Sequence, residues 1–296
     1  MDSTIAWELY RSFLGVLREG SLSGAARALG VAQPTVGRHI AALEAALGLV
    51  LFTRSQAGLL ATEAALALRV HAQAMESTAA ALERTAASYG DGVRGVVRIT
   101  ASEVVGVEVL PSVLAALQQS HPDLKIELAL SNTVQDLLLR EADIAVRMTR
   151  PVQDQLLARR VGTIDCGLHA SRDYLARRGT PASLEALAQH TLVGYDSMTP
   201  VVRAALKRWP QLGRKHVALR TDSDVAQLAL IRAGAGIGVC QVPLAQRAPA
   251  LVRVLPDAFH LPFDVWVTMH EDLRDSPRCR VAFDALAAAL EAFAGN

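Results

Sequence analysis

The sequence is short of cysteine, of net charge and of long apolar runs. Its three cysteines, Cys166, Cys240 and Cys279, are scattered through 296 residues with no CxxC spacing. That excludes a disulfide scaffold and points to buried thiols in a reducing compartment. No stretch reaches the roughly 18 uninterrupted apolar residues that a membrane span needs, because Arg and Glu break the alanine-rich segments. The N-terminus lacks the basic, apolar and small-residue order of a secretion signal, so a cytoplasmic location is expected. His121, His169, His190, His216, His260 and His270 are dispersed without HxxxH or HExxH spacing. No nucleophile with a base and no paired carboxylates stand out. The expectation is therefore no metal, no cofactor and no enzyme.

Net charge is +1, so the whole chain does not advertise a polyanionic partner. Residues 1–65 balance five Arg against five acids, yet between Ser21 and Leu60 the charges are Arg27, Arg38 and Arg54 against Glu44 alone. Phosphate neutralisation supplies most non-specific DNA affinity, and a dimer would double that local excess. What the chain has in quantity is apolar surface. It is 51% hydrophobic and 20% charged, enough for two or three globular units at this length.

The first helix is expected from Thr4 to Glu19, with Leu9, Phe13, Leu14 and Leu17 on one stripe and Gly20 ending it. Ser23 reads as the N-cap of a short helix, Gly24 to Leu29, closed by Gly30 in the left-handed region. The next helix starts near Gln33, with Pro34 in its first turn, and Val36, Ile40, Leu43 and Leu47 make its apolar face. Gly48 closes it. Two helices joined by a glycine turn are a helix-turn-helix pattern, and Ala25 and Ala26 let them cross closely. The opposite face carries Gln33, Thr35, Gly37, Arg38 and His39. It can enter a major groove, where Gln reads adenine and Arg reads guanine, or it can simply face water. Leu49 to Arg54, a turn over Ser55–Gly58, and a return at Leu59-Leu60 form a wing, with Arg54 at its base for a phosphate or the minor groove. A long helix from Thr62 to Tyr89 repeats Leu68, Met75, Leu82 and Tyr89 every seven residues, with Ala72, Ala79 and Ala86 four after the first three. This is a dimerisation seam or a helix packed on its own domain. Gly90-Asp91-Gly92 makes a hinge.

The run from Gly20 to Glu44, GSLSGAARALGVAQPTVGRHIAALE, followed by Leu47-Gly48 and by Leu51-Phe52-Thr53-Arg54, resembles the LysR-type transcriptional regulators. The similarity extends through the long helix and weakly to the C-terminus. It implies that Gln33, Pro34, Thr35, Gly37 and Arg38 lie at the major groove and that Arg54 belongs to the wing. Three positions depart from the family pattern. Ala32 stands where a capping Ser is usual, Gly37 stands where a Ser is common, and Gln56-Ala57-Gly58 lacks the usual basic residue.

From Val93 the pattern changes to strand–helix units: strands at Val96–Thr100, Lys125–Leu130 and Ile144–Met148, with helices at Val107–Gln119 and Val134–Arg140. Strands follow at Cys166–Ala170, Thr191–Tyr195, His216–Arg220, Ile237–Gln241 and Val265–Met269, then a helix at Arg278–Phe293. Such alternation predicts parallel sheets with ligands at the carboxyl ends of strands. Gly234-Ala235-Gly236-Ile237-Gly238 follows a helix and precedes a strand, the reverse of a phosphate loop, and reads as a helix end and turn.

The resemblance implies an α/β protein with an N-terminal all-α winged helix-turn-helix and a two-lobed C-terminal domain like a periplasmic solute-binding protein. Its boundaries are 1–61 for the DNA-binding domain, 62–90 for the linker helix and 93–296 for the effector-binding domain. Lobe I takes 93–163 and 267–296 and lobe II takes 164–266. The chain would cross between lobes near Val161–Asp165 and Phe263–Trp266. Strand ends then offer Thr100, Ala101, Ser102, Ser131, Asn132, Arg147, Tyr195, Ser197 and Thr221 to a small-molecule effector. Arg147 would clamp a carboxylate or make a salt bridge between lobes or subunits. Ser102, Ser131 and Ser223 serve the effector or cap helices, and Asp222 reads as an N-cap. The implied partners are double-stranded operator DNA, the effector, a second or fourth copy of the chain, and RNA polymerase if the regulator activates. The rival is a solute-binding or enzymatic α/β protein whose N-terminal helices serve assembly alone.

Overall fold

The computed structural model describes residues 5–55, 58–86, 92–132, 142–151 and 155–295. The expected helix at Val134–Arg140, the wing residues Gln56-Ala57, and the seam and hinge residues Tyr89, Gly90 and Asp91 lie outside them. The chain forms two compact units, the first running to Glu83 and the second taking in nearly all that follows.

The first unit is built from α1 (Trp7–Glu19), α2 (Leu22–Leu29), α3 (Gln33–Leu47), the hairpin β1 (Phe52–Ser55) and β2 (Gly58–Ala61), and the start of α4 (Glu63–Ala86). Gly20, Gly30 and Gly48 end the first three helices at φ of 64°, 68° and 67°, where a side chain would be strained. Ser21, not Ser23, is the N-cap of α2: its Oγ accepts from the Gly24 N–H at 3.1 Å. The helix therefore begins at Leu22, two residues before the expected Gly24. Phe13, Leu14, Val16, Ala25, Ala26, Val36, Ile40 and Leu43 form the core, joined by Leu51 and by Ala65 and Ala72 of α4. Gly15 lets α1 and α2 approach, since a Cβ there would stand 3.1 Å from Leu29 Cδ1 and 3.3 Å from Ala25 Cβ.

Two contacts dock the wing. Glu44 Oε1 accepts from the Leu51 N–H at 2.7 Å and the Phe52 N–H at 3.3 Å. Gly58 lies at φ 122°, and a Cβ on it would sit 2.6 Å from the Gly20 carbonyl oxygen, to which the Leu59 N–H donates at 2.8 Å. The α4 stripe divides. Leu68 and Ala72 pack on this unit's own core, whereas Met75 and Leu82 stand out from it.

The second unit contains β3 (Gly95–Ala101), α5 (Glu103–Glu108), α6 (Leu110–Ser120), β4 (Leu124–Leu130), β5 (Ile144–Arg147), β6 (Leu156–Ser171), α7 (Arg172–Arg178), β7 (Leu192–Gly194), α8 (Pro200–Arg208), β8 (Val217–Arg220), α9 (Asp224–Arg232), β9 (Gly238–Gln241), α10 (Val242–Gln246), β10 (Leu251–Val254), β11 (Leu261–His270) and α11 (Pro277–Ala294). Among the described residues the strands pair in parallel as β3 with β4 and β5 and as β7 with β8, and an isolated parallel bridge joins Leu192 to Ile237. The expected all-parallel arrangement is corrected by β6 and β11. These two long strands run antiparallel along one another and carry the chain between lobes in opposite directions. Cys166 is paired with both Leu261 and Gln241, so β9 and β11 flank β6 on opposite edges. Leu168 likewise pairs with Val239 and Val254, so β10 continues the edge that β11 begins. A register shift between Val265 and Trp266 sits at the expected crossings.

Val97, Ile99, Ala101, Val146 and Val267 pack against Leu110, Leu117 and the α11 residues Ala282, Leu286, Leu290 and Phe293. Leu168, Tyr174, Leu192, Trp209, Val217 and Phe259 form a second cluster, in which the Trp209 and Phe259 rings stand 4.5 Å apart. Gly236 follows α9 in the turn to β9, and a Cβ on it would lie 2.4 Å from the Thr191 carbonyl oxygen. No helix of the described chain is long and apolar enough to cross a membrane.

Candidate nucleic-acid interface and ligand cleft

In the first unit the 3.6-residue period of α3 sends Val36, Ile40 and Leu43 inward and leaves its first turn outside. Gln33, Pro34 and Arg38 are exposed, with Thr35 and Gly37 half-buried between them. Among the described residues Arg38 reaches only Thr35 Oγ1, at 3.5 Å. His39 leaves this face: its Nδ1 meets the buried Ser12 hydroxyl at 2.7 Å and ties α3 to α1. Arg54 is exposed on β1. Ser21, Leu22, Ser23, Gln33, Arg54, Gly58 and Leu59 line one recess of about 350 Å³, so the start of α2, the start of α3 and the wing share a concave surface. Its hydroxyls, amide and guanidinium are groups that donate to phosphates and base edges.

In the second unit the strand-end residues separate into three groups. Thr100 and Ala101 are buried, and Thr100 Oγ1 accepts from the Arg147 guanidinium at 2.8 Å. Arg147 also donates to the Val146 carbonyl at 2.9 Å and meets no carboxylate among the described residues. Burial disfavours its charge and lowers its pKa to about 10.

The second group faces across the lobes. Asn132 Nδ2 donates to Asp224 Oδ2 at 2.9 Å, and its Oδ1 accepts from the Glu103 N–H at 3.0 Å. The Tyr195 hydroxyl donates to the other oxygen of Asp224. Ser223 caps α9 and donates to Glu103 Oε2 at 2.9 Å. Burial holds the Asp224 carboxyl above the usual carboxylate range against the pull of the Tyr195 hydrogen bond, and Glu103 adds to the rise. The Tyr195 hydroxyl is pushed up by burial and then by Asp224. Ser102 stands at the N-cap of α5 without making a capping bond, and its Oγ is buried and unpartnered.

The third group is peripheral. Ser197 is exposed and bound to Asp222, which also accepts from the Asp196 and Ser197 N–H groups. Asp222 therefore ties down this turn and is not the N-cap it was expected to be, because Ser223 takes that place. Thr221 accepts from the Ser223 N–H through Oγ1 at 3.2 Å, and Ser131 follows β4 with its N–H on the Ala101 carbonyl. Sequence reasoning missed Glu103, Asp224 and Gln241 as cleft residues. A signal existed: Ser102-Glu103 and Ser223-Asp224 repeat one Ser-acid step at the start of a helix, each after a strand.

Cys166 and Cys240 lie on opposite faces of adjacent strands, since Cys166 pairs with Gln241 and Cys240 with Gly167. Burial pushes both thiols up, Cys240 to about 12. These are inert packing groups.

A winged helix-turn-helix followed by a two-lobed sheet of solute-binding type defines a regulator with separate DNA-reading and ligand-holding parts. The comparisons with known proteins carry this to a family. Residues 7–66 match the bacterial regulatory helix-turn-helix of the lysR family, and residues 90–291 match the LysR substrate binding domain. The chain belongs to the LysR family of transcriptional regulators. It is 29% identical over 60% of its length to an HTH-type transcriptional regulator of Xanthomonas campestris pv. campestris. It is 30% identical over 62% of its length to the regulator CrgA of Neisseria meningitidis. The matches span 52% of the first of these proteins and 61% of the second. Among solved structures, full-length CbnR complexed with target DNA aligns with a TM-score of 0.66 at 21% identity, covering 96% of this chain and 99% of that one. The Vibrio cholerae virulence activator AphB aligns with a TM-score of 0.62 at 22% identity, covering 96% and 99%.

Proposed function

We propose that this chain binds operator DNA through the first turn of α3 and the wing, and that a small molecule held between the lobes of the second unit modulates that binding. The observation that carries the reading is the recess that Gln33 and Arg54 line, on a helix that also exposes Arg38, in a chain whose two parts both match the LysR family. Gln33, Pro34, Thr35, Gly37 and Arg38 occupy the major groove, and Arg54 meets the adjoining backbone. Similarity to CbnR, solved with its target DNA, supports this placement.

Two copies associate through the exposed part of α4, where Met75 and Leu82 are 42% and 68% exposed, and pairs of copies build a tetramer. Each pair reads a partly palindromic site. Thr100, Ala101, Ser102, Asn132, Arg147 and Tyr195 hold the effector, with Ser131, Ser197 and Thr221 at its margin and a carboxylate on Arg147. An effector with different affinity for two arrangements of the assembly shifts the balance between them.

Fluorescence anisotropy with DNA from upstream of the protein's own gene tests this. Binding should weaken steeply with salt. Arg38→Ala should lose about 1–3 kcal/mol and, with it, the preference for that DNA over a scrambled duplex. Equal affinity of wild type and Arg38→Ala for both duplexes would remove α3 from the groove.

A further inference from the structure

The charges described in the cleft do not balance. Arg147 is 9% exposed and, among the described residues, rests only on neutral oxygens, those of Thr100 and Val146. Glu103 and Asp224 sit close enough for Glu103 to disfavour ionisation of Asp224, and both influence Tyr195. Their hydrogen-bond partners are Ser223, Asn132 and Tyr195, and among the described residues no Lys, Arg or His touches either acid. Each acid opens a helix, whose positive end offsets part of one charge. That does not account for two carboxylates brought together from different lobes. Among the described residues, no cation meets the two acids and no anion meets Arg147.

Gln241 supplies an independent sign. It is 7% exposed, and its Nε2 donates to Met148 Sδ at 3.6 Å. A thioether only accepts, so the amide nitrogen must face it, and the amide oxygen Oε1 is left buried without a partner. Gln241 and Cys166 are opposite one another in the β9–β6 register and leave the sheet on the same side. Burial raises the Cys166 thiol, with Asp224 adding to the rise, and Cys166 adds in turn to the raised Tyr195 hydroxyl. The unfilled acceptor is thus on the Cys166 face of the sheet, and a buried acceptor without a donor is a cost that a ligand N–H can remove.

We infer that the effector is an ammonium carboxylate, whose carboxylate meets Arg147 and whose protonated amine meets Glu103, Asp224 and the Gln241 amide oxygen. This rests on the effector reading above and narrows it to a class. Such a ligand neutralises both ends of the cleft at once, which neither a plain acid nor a plain amine does.

The test uses the full chain and three matched short-chain series at millimolar concentration: amino carboxylates, the same carboxylates without the amine, and the same amines without the carboxylate. Binding is read by calorimetry and by the shift in unfolding temperature. Members of the first series alone should bind. Glu103→Gln should weaken them by about thirtyfold or more, and Arg147→Met should abolish binding. Without ligand, Glu103→Gln should be at least as stable as wild type, because it relieves a like-charge pair. Plain carboxylates that bind as well as amino carboxylates, and equally to Glu103→Gln, would overturn the inference while leaving the effector reading intact. So would a ligand-free Glu103→Gln protein that melts well below wild type, since the acids would then be structural. Failure of all three series to bind overturns the inference, and loss of every response of DNA binding to small molecules would take the effector reading with it.

Discussion

The two candidate sites of this chain are opposites in how they treat polar groups. On α3, Gln33 and Arg38 stand in water with almost no partners. In the cleft, Thr100 and Arg147 are buried, and Asp224 binds two side chains from two elements. A surface that meets a polyanion can wait unpaired, because water solvates its charges until phosphates replace it. An interior site has no such reserve. Each group there must be bonded within the chain or left for a ligand to satisfy. The difference teaches where to look for each partner: exposed and unpaired for DNA, buried and unbalanced for the small molecule.

The largest expected effect tests whether the two sites rest on separate cores. Ala25 is fully buried where α1 and α2 are already tight, with Gly15 opposite it. Ala25→Leu should destabilise the first unit by about 3 kcal/mol, since overpacking a close helix crossing forces backbone shifts. Scanning calorimetry should show the first unit's transition lowered or lost and DNA binding gone, with the second unit's transition unmoved. A matching fall in both transitions would break the comparison, because the cores would then fold as one.

The second unit should differ from the first in its response to acid. His169 is 1% exposed, its ring nitrogen Nδ1 bonds the Gly167 carbonyl at 2.9 Å, and burial lowers its pKa to about 4. The unfolded chain takes up that proton nearer pH 6.5, so this contribution is complete above about 6.5 and is lost as pH falls toward about 4. The loss amounts to about 3 kcal/mol at most. Asp224 acts with the opposite sign: its raised pKa favours the folded state at low pH and disfavours it as pH rises. Unfolding temperature against pH should fall for the second unit across that window, and His169→Gln should flatten the slope. An unchanged slope in the variant would assign the acid sensitivity elsewhere.

What could be read from the residues follows the same division. The α3 face is local: Val36, Ile40 and Leu43 mark the inside, and so Gln33, Pro34 and Arg38 mark the outside, within one helix. Even there His39 turned inward, because its angular position at the edge of the stripe let it reach Ser12, and that partner is a long-range fact. Glu44 read only as a charge, yet it holds the wing through the Leu51 and Phe52 N–H groups. In the second unit strand positions were legible from apolar runs, and Thr100 and Arg147, both read as strand-end residues, lie against one another. The antiparallel passage of β6 along β11 was not legible, since alternation says nothing of a strand that serves two lobes. Asp224, Glu103 and Gln241 come from three distant elements, and only the folded sheet puts them on one side.

The smallest effects concern the start of α3, at Ala32 and Gly37. Gly37 is in ordinary helical backbone, and a Cβ there would meet only Leu22 Cδ1, at 3.7 Å. Gly37→Ala should therefore stabilise the first unit by about 0.5–1 kcal/mol. Ala32→Ser would restore the missing cap, usually worth about 1 kcal/mol, but less is expected here. Pro34 has no N–H to satisfy, and the Thr35 N–H already turns back on the Ala32 carbonyl at 2.9 Å. A gain nearer 0.5 kcal/mol, the low end for caps, is expected in denaturant unfolding of the first unit. A full kilocalorie would mean that this turn frays in solution, and the exposed face that Gln33 and Arg38 present would then be ordered by DNA and not before it.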